Sequence, residues 1–214
     1  MRRIGLIGGT FDPIHYGHLV AAEEARAVLG LEKVLFAPAG TPPHKRGRPI
    51  TPVGHRAEMV RLAIASNPFF EFSSLDLQRS GPSYSVDTLS ILRAQLGPEP
   101  EIWFIIGLDS LADILTWREP SRLVELARIV AVTRPGYATF DLAELEPHLP
   151  RARERIQVLP IPELNISSST LRWRVSVGLP IKYQLPEAVE AYIYAHRLYL
   201  PSERSAEDAE HASL

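Results

Sequence analysis

Short apolar runs rich in β-branched residues alternate along this chain with longer amphipathic stretches. The runs predict five strands and a weaker sixth one, at "RIGLIG", "KVLFAPA", "FEFSSLDLQ", "EIWFIIG", "RIVAVTRPG" and "RIQVLPIP". Helical spacing predicts helices over 17–29, about 55–66, from Ser83 or Ser85 to Gly97, and through "DSLADILTW". Because strand–helix–strand crossovers wind into parallel sheets, we expect an α/β fold with a doubly wound parallel sheet of five to six strands.

The end of the chain departs from this alternation. "NISSSTLRWRVSVG" and "PEAVEAYIYAHRLYL" predict a small helical C-terminal addition over 165–200. Residues 201–214 lack the apolar content of a packed segment, which predicts a disordered tail. A chain of 214 residues suits one domain. We place that domain at 1–200, with the C-terminal helices completing its site.

Net charge, cysteine content and the N-terminal apolar run limit the partners, the chemistry and the location of this protein. A net charge of −2 gives no overall attraction to nucleic acid or to an anionic membrane. The chain has no cysteine, which excludes disulfides, thiolate metal sites and thiol catalysis. The apolar run at 4–7 is too short for a signal peptide or a membrane span. We therefore expect a cytoplasmic protein without nucleic-acid or membrane partners, and homo-oligomerisation stays open.

Unusual loops follow several of the predicted strands, at 8–18, 38–48, 107–110 and 133–136. The carboxyl ends of parallel strands meet at one edge of the sheet, so these loops should gather around one crevice. The second loop leads into a basic segment at 44–56 that includes Lys45 and Arg56 and contains no acid. That segment is either a solvated loop or part of an anion site.

The first loop, "GGTFDPIHYGHL", combines two glycines with two histidines. Gly8 and Gly9 let the backbone approach a ligand, although neither the dinucleotide fingerprint nor the P-loop motif is present. A helix that begins near Tyr16 puts His18 in its first turn, where backbone N–H groups attract phosphate. His15 and His18 could then face one anion during phosphoryl or nucleotidyl transfer. Structural histidines and a zinc pair remain alternatives, but a third zinc ligand is not evident.

Three further segments carry polar or aromatic groups toward the same crevice. In "NISSSTLRWR", the serines 167–169 and Arg172 either grip phosphate at a helix start or simply cap that helix. After the fourth strand, Asp109 either accepts bonds from a ribose or caps the next helix. Trp117 is either an aromatic plate for a ligand or part of the core. Arg134 and the loop at Lys45 are placed to meet a second anionic substrate.

These motifs together resemble the nucleotidyltransferase superfamily with the H-x-G-H motif, here at residues 15–18. More narrowly, the chain is similar to the bacterial nicotinate-nucleotide adenylyltransferases. The resemblance covers most of residues 3–198 and depends on "GGTFDPIHYGHL", "PPHK", "SYSVDTL", "IGLDS", the tryptophan at 117, "TRPG" and "ISSSTLR". It implies a Rossmann-like fold and transfer of AMP from ATP to nicotinate mononucleotide, with Mg²⁺ accompanying ATP. The small-molecule substrates ATP and nicotinate mononucleotide are the implied partners, without a dedicated protein metal site.

The resemblance also implies roles for individual residues. The implied catalytic residues are His15, His18 and Arg172. The implied ATP-binding residues are Gly8, Gly9, Thr10, Phe11, His15, His18, Gly107, Asp109, Ser168, Ser169 and Arg172. The implied residues for nicotinate mononucleotide are His44, Lys45, Tyr84, Ser85, Asp109, Trp117 and Arg134. Two positions depart from the usual family pattern, since Ser85 replaces a frequent threonine and "ISSSTLR" stands where "ISSTxIR" is common.

Three alternatives remain at this point. The same chemistry could act on nicotinamide mononucleotide or on phosphopantetheine, because all of these acceptors present a phosphate. A nucleotide-binding regulator without catalysis is the alternative from another class, although intact His15, His18 and Arg172 speak against it.

Overall fold

Six parallel strands form the sheet of the computed structural model, which describes residues 2–43, 49–133 and 140–201. The strands are β1 Arg3–Gly9, β2 Lys33–Pro38, β3 Phe70–Phe72, β4 Glu101–Gly107, β5 Arg128–Val132 and β6 Ile156–Leu159. All five predicted strands are therefore present, and the weaker sixth strand is present too.

Eight α-helices connect and extend these strands in the described part of the chain. They are α1 Tyr16–Leu29, α2 Val53–Ile64, α3 Ser85–Leu96, α4 Leu108–Ala112, α5 Pro120–Leu126, α6 Ala152–Arg155, α7 Ser168–Ser176 and α8 Glu187–Ala195. The predicted C-terminal helical addition corresponds to α7 and α8. Within the same residues, no helix has both the length and the apolar character needed to cross a membrane.

In the strand order β3-β2-β1-β4-β5-β6, the side on which the chain adds new strands changes between β1 and β4. The chain adds β2 and β3 on one side of β1 and then returns to add β4, β5 and β6 on the other side. Beyond their carboxyl ends, β1 and β4 therefore flank the crevice in which open α/β sheets bind ligands. Gly9 of β1 pairs with Pro38 of β2, and Gly107 of β4 pairs with Val132 of β5.

The sheet is buried on both faces, as its nearly continuous apolar strands predict. On one face, Ile7 and Ile105 belong to a core that includes residues of α1, α2, α7 and α8. On the other face, Leu6 and Phe104 belong to a core that includes residues of α3, α4 and α5. Helices on both faces of a parallel sheet confirm the predicted doubly wound, Rossmann-like α/β fold.

Several local predictions were wrong. The predicted strand at 70–78 ends at Phe72, and the chain turns back on itself through the bond from Leu77 N to Ser74 O. Neither Ser83 nor Ser85 caps α3, whose N-cap is Tyr84 without a side-chain bond. The Ser83 hydroxyl instead accepts a hydrogen bond from Thr41 N. The helix predicted through 109–117 divides into α4 and a 3₁₀ turn, Ile114–Thr116, and α5 was not predicted.

Candidate active site

A cavity of about 370 Å³ lies beyond the carboxyl ends of β1 and β4. It is lined by backbone from both strands and by residues around the starts of α1, α3 and α4. The residues predicted for the site that line this cavity are Gly8, Gly9, Thr10, His18, Tyr84, Ser85, Gly107, Asp109 and Trp117. These nine positions come from three distant segments of the sequence, 8–18, 84–85 and 107–117. Residues 39, 42, 43 and 133 also line the cavity, so all four loops predicted to gather around one crevice contribute to it.

The His18 ring is oriented by the helix to which it belongs. His15 is the N-cap of α1, and its backbone N–H donates to Nδ1 of His18 at 3.2 Å. Because Nδ1 accepts this bond, the neutral ring carries its proton on Nε2. His18 therefore lines the cavity as an imidazole whose donor atom is Nε2. It lies in the first turn of α1, where the free backbone N–H groups of a helix favour binding of an anion.

His15 and Phe11 support the His18 ring from the protein side. The two imidazole centroids are 3.8 Å apart with an interplanar angle of 31°, and Phe11 makes an edge contact with His18 at 5.1 Å. His15 is 1% exposed and Phe11 is 2% exposed, and neither lines the cavity. The structure thus places His18 alone of the two histidines at the cavity wall, with His15 packed behind it.

The start of α7 is bound to the loop that precedes α1. Ser167 is the N-cap, and its side chain accepts from Thr170 N. Ser168 Oγ donates to the carbonyl of Pro13 at 2.8 Å, and Arg172 Nη1 donates to the carbonyl of Asp12 at 2.6 Å. The serine-rich motif is thus joined by hydrogen bonds to the "GGTFDPIHYGHL" loop.

The three predicted residues of α7 do not line the cavity itself. These residues are Ser168, Ser169 and Arg172. Ser169 is exposed, and the other two are half-buried. Ser168 and Arg172 contact the backbone of the loop at 10–15, so this loop lies between the start of α7 and the cavity.

Asp12 fixes the same loop through its carboxylate, which is buried at 3% exposure. Its two oxygens accept from the Tyr199 hydroxyl at 2.8 Å and from Thr51 N at 3.3 Å. Burial and the neighbouring Asp12 charge raise the pKa of Tyr199, which keeps that phenol a donor. The segment after α8 is therefore hydrogen-bonded to the loop that leads to His15.

Arg56, the last residue of the basic segment at 44–56, is buried and not solvated, while residues 44–48 of that segment lie outside the described residues. Its side chain is 1% exposed and donates to the carbonyls of Thr10, Ala39, Gly40 and Thr51 at 2.7 to 3.1 Å. Burial lowers the pKa of Arg56, and the charge of Asp12 opposes that effect. The guanidinium thus joins the loops after β1 and β2.

Around the start of α3, the cavity wall contains a buried acid that the sequence did not indicate. Asp76 is 6% exposed and accepts from the Thr88 hydroxyl at 2.6 Å, with Arg79 at 3.3 Å. Burial raises the pKa of Asp76. Trp117 stands at the same end, half-buried, with its ring 6.2 Å from the Phe104 ring.

Asp109 lies in the first turn of α4, while the N-cap of that helix is Gly107. The alternative in which Asp109 is the N-cap of the helix is therefore wrong, and Asp109 is one of the residues that line the cavity. Predicted positions His44, Lys45 and Arg134, like residues 202–214 of the predicted tail, lie outside the described residues. Across 2–43, 49–133 and 140–201, no group of three or more histidines or acids forms a candidate metal site.

Gly40 shows how closely the loops pack around the cavity, and replacing it by alanine tests this packing. A Cβ at Gly40 would meet the carbonyl oxygen of Asp76 at 2.6 Å, a backbone atom that cannot rotate away. We expect Gly40→Ala to lower the free energy of unfolding by about 1–3 kcal/mol in chemical denaturation.

Gly54→Ala is the matched control, since no described atom other than those of its chain neighbours and its own helix backbone lies within 4 Å of the added Cβ. That variant should keep wild-type stability or gain up to about 1 kcal/mol because alanine favours helix. Equal denaturation midpoints for the two variants would contradict the close packing at Gly40.

Comparison with known proteins agrees with this geometry. Residues 6–174 match the family model described as cytidylyltransferase-like. A protein of Moorella thermoacetica is 50% identical over 93% of this chain and 92% of its own length, and is named a probable nicotinate-nucleotide adenylyltransferase. A protein of Roseiflexus sp. with the same name is 53% identical over 92% of this chain and 97% of its own length. The chain belongs to the cytidylyltransferase-like family and to its nicotinate-nucleotide adenylyltransferases.

Solved structures support the fold of this family member. Nicotinic acid mononucleotide adenylyltransferase of Plasmodium falciparum, solved in complex with NaAD, aligns with a TM-score of 0.76 over 93% of this chain and 98% of that chain. The same protein in complex with APC aligns with a TM-score of 0.75. Sequence identity in both cases is 22%. These structures therefore share the α/β fold of this chain.

Proposed function

We propose that this chain transfers AMP from ATP to nicotinate mononucleotide, giving nicotinate adenine dinucleotide and pyrophosphate. One observation carries the proposal: His18, glycine-rich strand ends and Trp117 line a single cavity beside β1 and β4 in a member of this family. The cavity offers donors for phosphate at the start of α1 and an aromatic surface at Trp117. Relatives that match over almost their whole length carry the name of this reaction.

The proposed reaction needs no protein nucleophile. An oxygen of the acceptor phosphate is already anionic at neutral pH and attacks the α-phosphorus of ATP. The bond from that phosphorus to the oxygen bridging the β-phosphate breaks, and pyrophosphate leaves with the electron pair. Catalysis then consists of alignment and of stabilising charge on the phosphates. The cavity wall fits this requirement, because it provides hydrogen-bond donors and glycine backbone that a nucleotide can approach closely.

His18 is the proposed principal donor, with Nε2–H directed to the phosphates that gain charge. Gly8, Gly9 and Thr10 let the nucleotide lie against the end of β1. Gly107 and Asp109 lie where a ribose hydroxyl can donate to the carboxylate. On the acceptor side, the proposed residues in the described wall are Tyr84, Ser85 and Trp117, and the proposed residues outside the described ranges are His44, Lys45 and Arg134.

The remaining predicted residues act through the loop at 10–15 in this proposal. His15 and Phe11 orient His18. Arg172 uses one nitrogen for the Asp12 carbonyl and retains further N–H donors in its guanidinium for phosphate. Ser168 and Ser169 place the start of α7 beside the same phosphates. Their roles are therefore partly to hold the loop and partly to add donors.

Mg²⁺ is proposed to enter with ATP. The described residues form no group of three or more acidic or histidine side chains that could hold a metal ion, and the acids that line the cavity among them are Asp76 and Asp109. Bound to the phosphates, Mg²⁺ would neutralise part of their charge. His18 and Arg172 would supply the protein's share of that charge stabilisation.

An acceptor panel tests the proposal. Pyrophosphate release from ATP is measured after addition of nicotinate mononucleotide, nicotinamide mononucleotide or phosphopantetheine. We expect the acid mononucleotide to give the highest kcat/KM and a product with the mass of nicotinate adenine dinucleotide. Preference for either other acceptor would contradict the proposed substrate, and absence of pyrophosphate release with all three would favour a non-catalytic nucleotide-binding protein.

A further inference from the structure

Among the described residues that line the cavity, Arg118 is the one lysine or arginine. It directly follows Trp117 and precedes α5. Its guanidinium lies over the Tyr84 ring, 4.9 Å from the centroid, and Ser85 lines the same end of the cavity. A permanent positive charge therefore lies beside the aromatic end of the site, next to the first turn of α3.

Two carboxylates hold Arg118 only loosely. Its Nη1 lies 3.8 Å from Asp87 Oδ2, and its Nε lies 3.4 Å from Glu119 Oε1. Charge-assisted hydrogen bonds are usually about 2.7–2.9 Å, so both of these pairs are long. Asp87 also pairs with Arg79 at 3.2 Å, and Glu119 also pairs with Arg122 at 3.3 Å. Each carboxylate keeps a cation if Arg118 turns toward a ligand.

The acid in the same part of the wall does not cancel this charge. Asp76 is buried, accepts from the Thr88 hydroxyl and faces Arg79. Both contacts are made by Oδ1, which is thus engaged with groups on the protein side. About half of the Arg118 side chain is exposed, at 51%, which leaves it room to change rotamer.

We propose that Arg118 is a specificity-determining residue that favours a carboxylate over a carboxamide on the acceptor ring. This inference rests on the proposed function. The acceptor phosphate must meet ATP near His18, so the ring extends away from that end, toward Trp117 and Arg118. A guanidinium binds a carboxylate through two parallel hydrogen bonds, whereas a neutral carboxamide offers one acceptor and no charge.

The test compares Arg118→Met with Arg122→Met. Arg118 lies just before α5 and Arg122 lies in its first turn, and both arginines pair with Glu119. Arg122 does not line the cavity, and 54% of its side chain is exposed. For each variant, kcat/KM is measured with nicotinate mononucleotide and with nicotinamide mononucleotide at saturating ATP. Melting temperature and the KM for ATP are recorded for both variants.

We expect Arg118→Met to lower kcat/KM for the acid acceptor by about 10-fold, mostly through KM, and to leave the amide acceptor within about two-fold. Arg122→Met should change neither acceptor by more than about two-fold. An unchanged acid-to-amide ratio in Arg118→Met, or an equal loss with both acceptors, overturns the inference. Failure of the wild-type protein to use either mononucleotide would instead refute the proposed function.

Discussion

Replacing His18 by asparagine is expected to lower kcat for AMP transfer by about 10²–10³-fold, as loss of one transition-state donor does. The asparagine Oδ1 takes the position of Nδ1 and can still accept from His15 N, a bond of 3.2 Å in the wild type. The variant therefore keeps the cap of α1 and loses the Nε2–H donor. Steady-state kinetics with both substrates saturating measure the effect, and the melting temperature should stay near the wild-type value.

Two further substitutions at the same position separate the cap from the chemistry. His18→Gln carries an amide nitrogen near the place of Nε2 and should retain more activity than His18→Asn. Because residue 18 is the N3 position of α1, the glutamine Oε1 can still accept from His15 N, and the cap is kept. His18→Ala loses both groups and should be as slow as His18→Asn and also less stable, by about 1 kcal/mol. Turnover within about three-fold of wild type in His18→Asn would remove His18 from its catalytic role.

Arg56→Met is expected to cause the largest loss of stability among the substitutions considered. Four carbonyl oxygens, those of Thr10, Ala39, Gly40 and Thr51, would lose a donor in a region closed to water. Each buried acceptor without a donor costs about 1 kcal/mol or more. We expect a loss of about 3 kcal/mol or more in chemical denaturation, which corresponds to a fall in Tm of roughly 10 °C for a chain of this size.

Arg61→Met is the matched control for this effect. Arg61 lies on the same helix, α2, with 49% of its side chain exposed, a pair to Glu58 at 3.5 Å and a contact with the Phe72 ring at 3.8 Å. Exposed ion pairs contribute about 1 kcal/mol at most, so its loss should be small. Comparable losses in both variants would mean that the carbonyl contacts of Arg56 do not stabilise the loops.

The order of strands and helices was predictable because each element carries its own periodicity. β1, β2, β4 and β5 are continuous apolar runs, and α1 repeats its apolar residues at helical spacing. Strand order in the sheet was not predictable in this way, since it depends on which edges pair over long distances. The predicted strand at 70–78 failed for a similar reason: Asp76 turns inward to meet Thr88 and Gly40, and these contacts are distant in sequence.

The candidate site was predictable where glycines or motifs mark strand ends, as at Gly8, Gly9 and Gly107. It was not predictable where tertiary packing sets a side chain's direction. His15 packs behind His18 although the two are only three residues apart, at the N-cap and in the first turn of α1. The sequence did contain a signal for Arg56, which lies one helical turn before buried Met59 and Val60, but an arginine in a basic segment is usually exposed.

Label transfer tests the central claim of AMP transfer most directly. ATP labelled at the α-phosphate and, separately, at the γ-phosphate is incubated with the protein, Mg²⁺ and nicotinate mononucleotide. We expect the α label to enter nicotinate adenine dinucleotide and the γ label to leave in pyrophosphate, and we expect neither label to move without the acceptor. Release of the α label as free AMP, or transfer of the γ label to the acceptor, would contradict this claim.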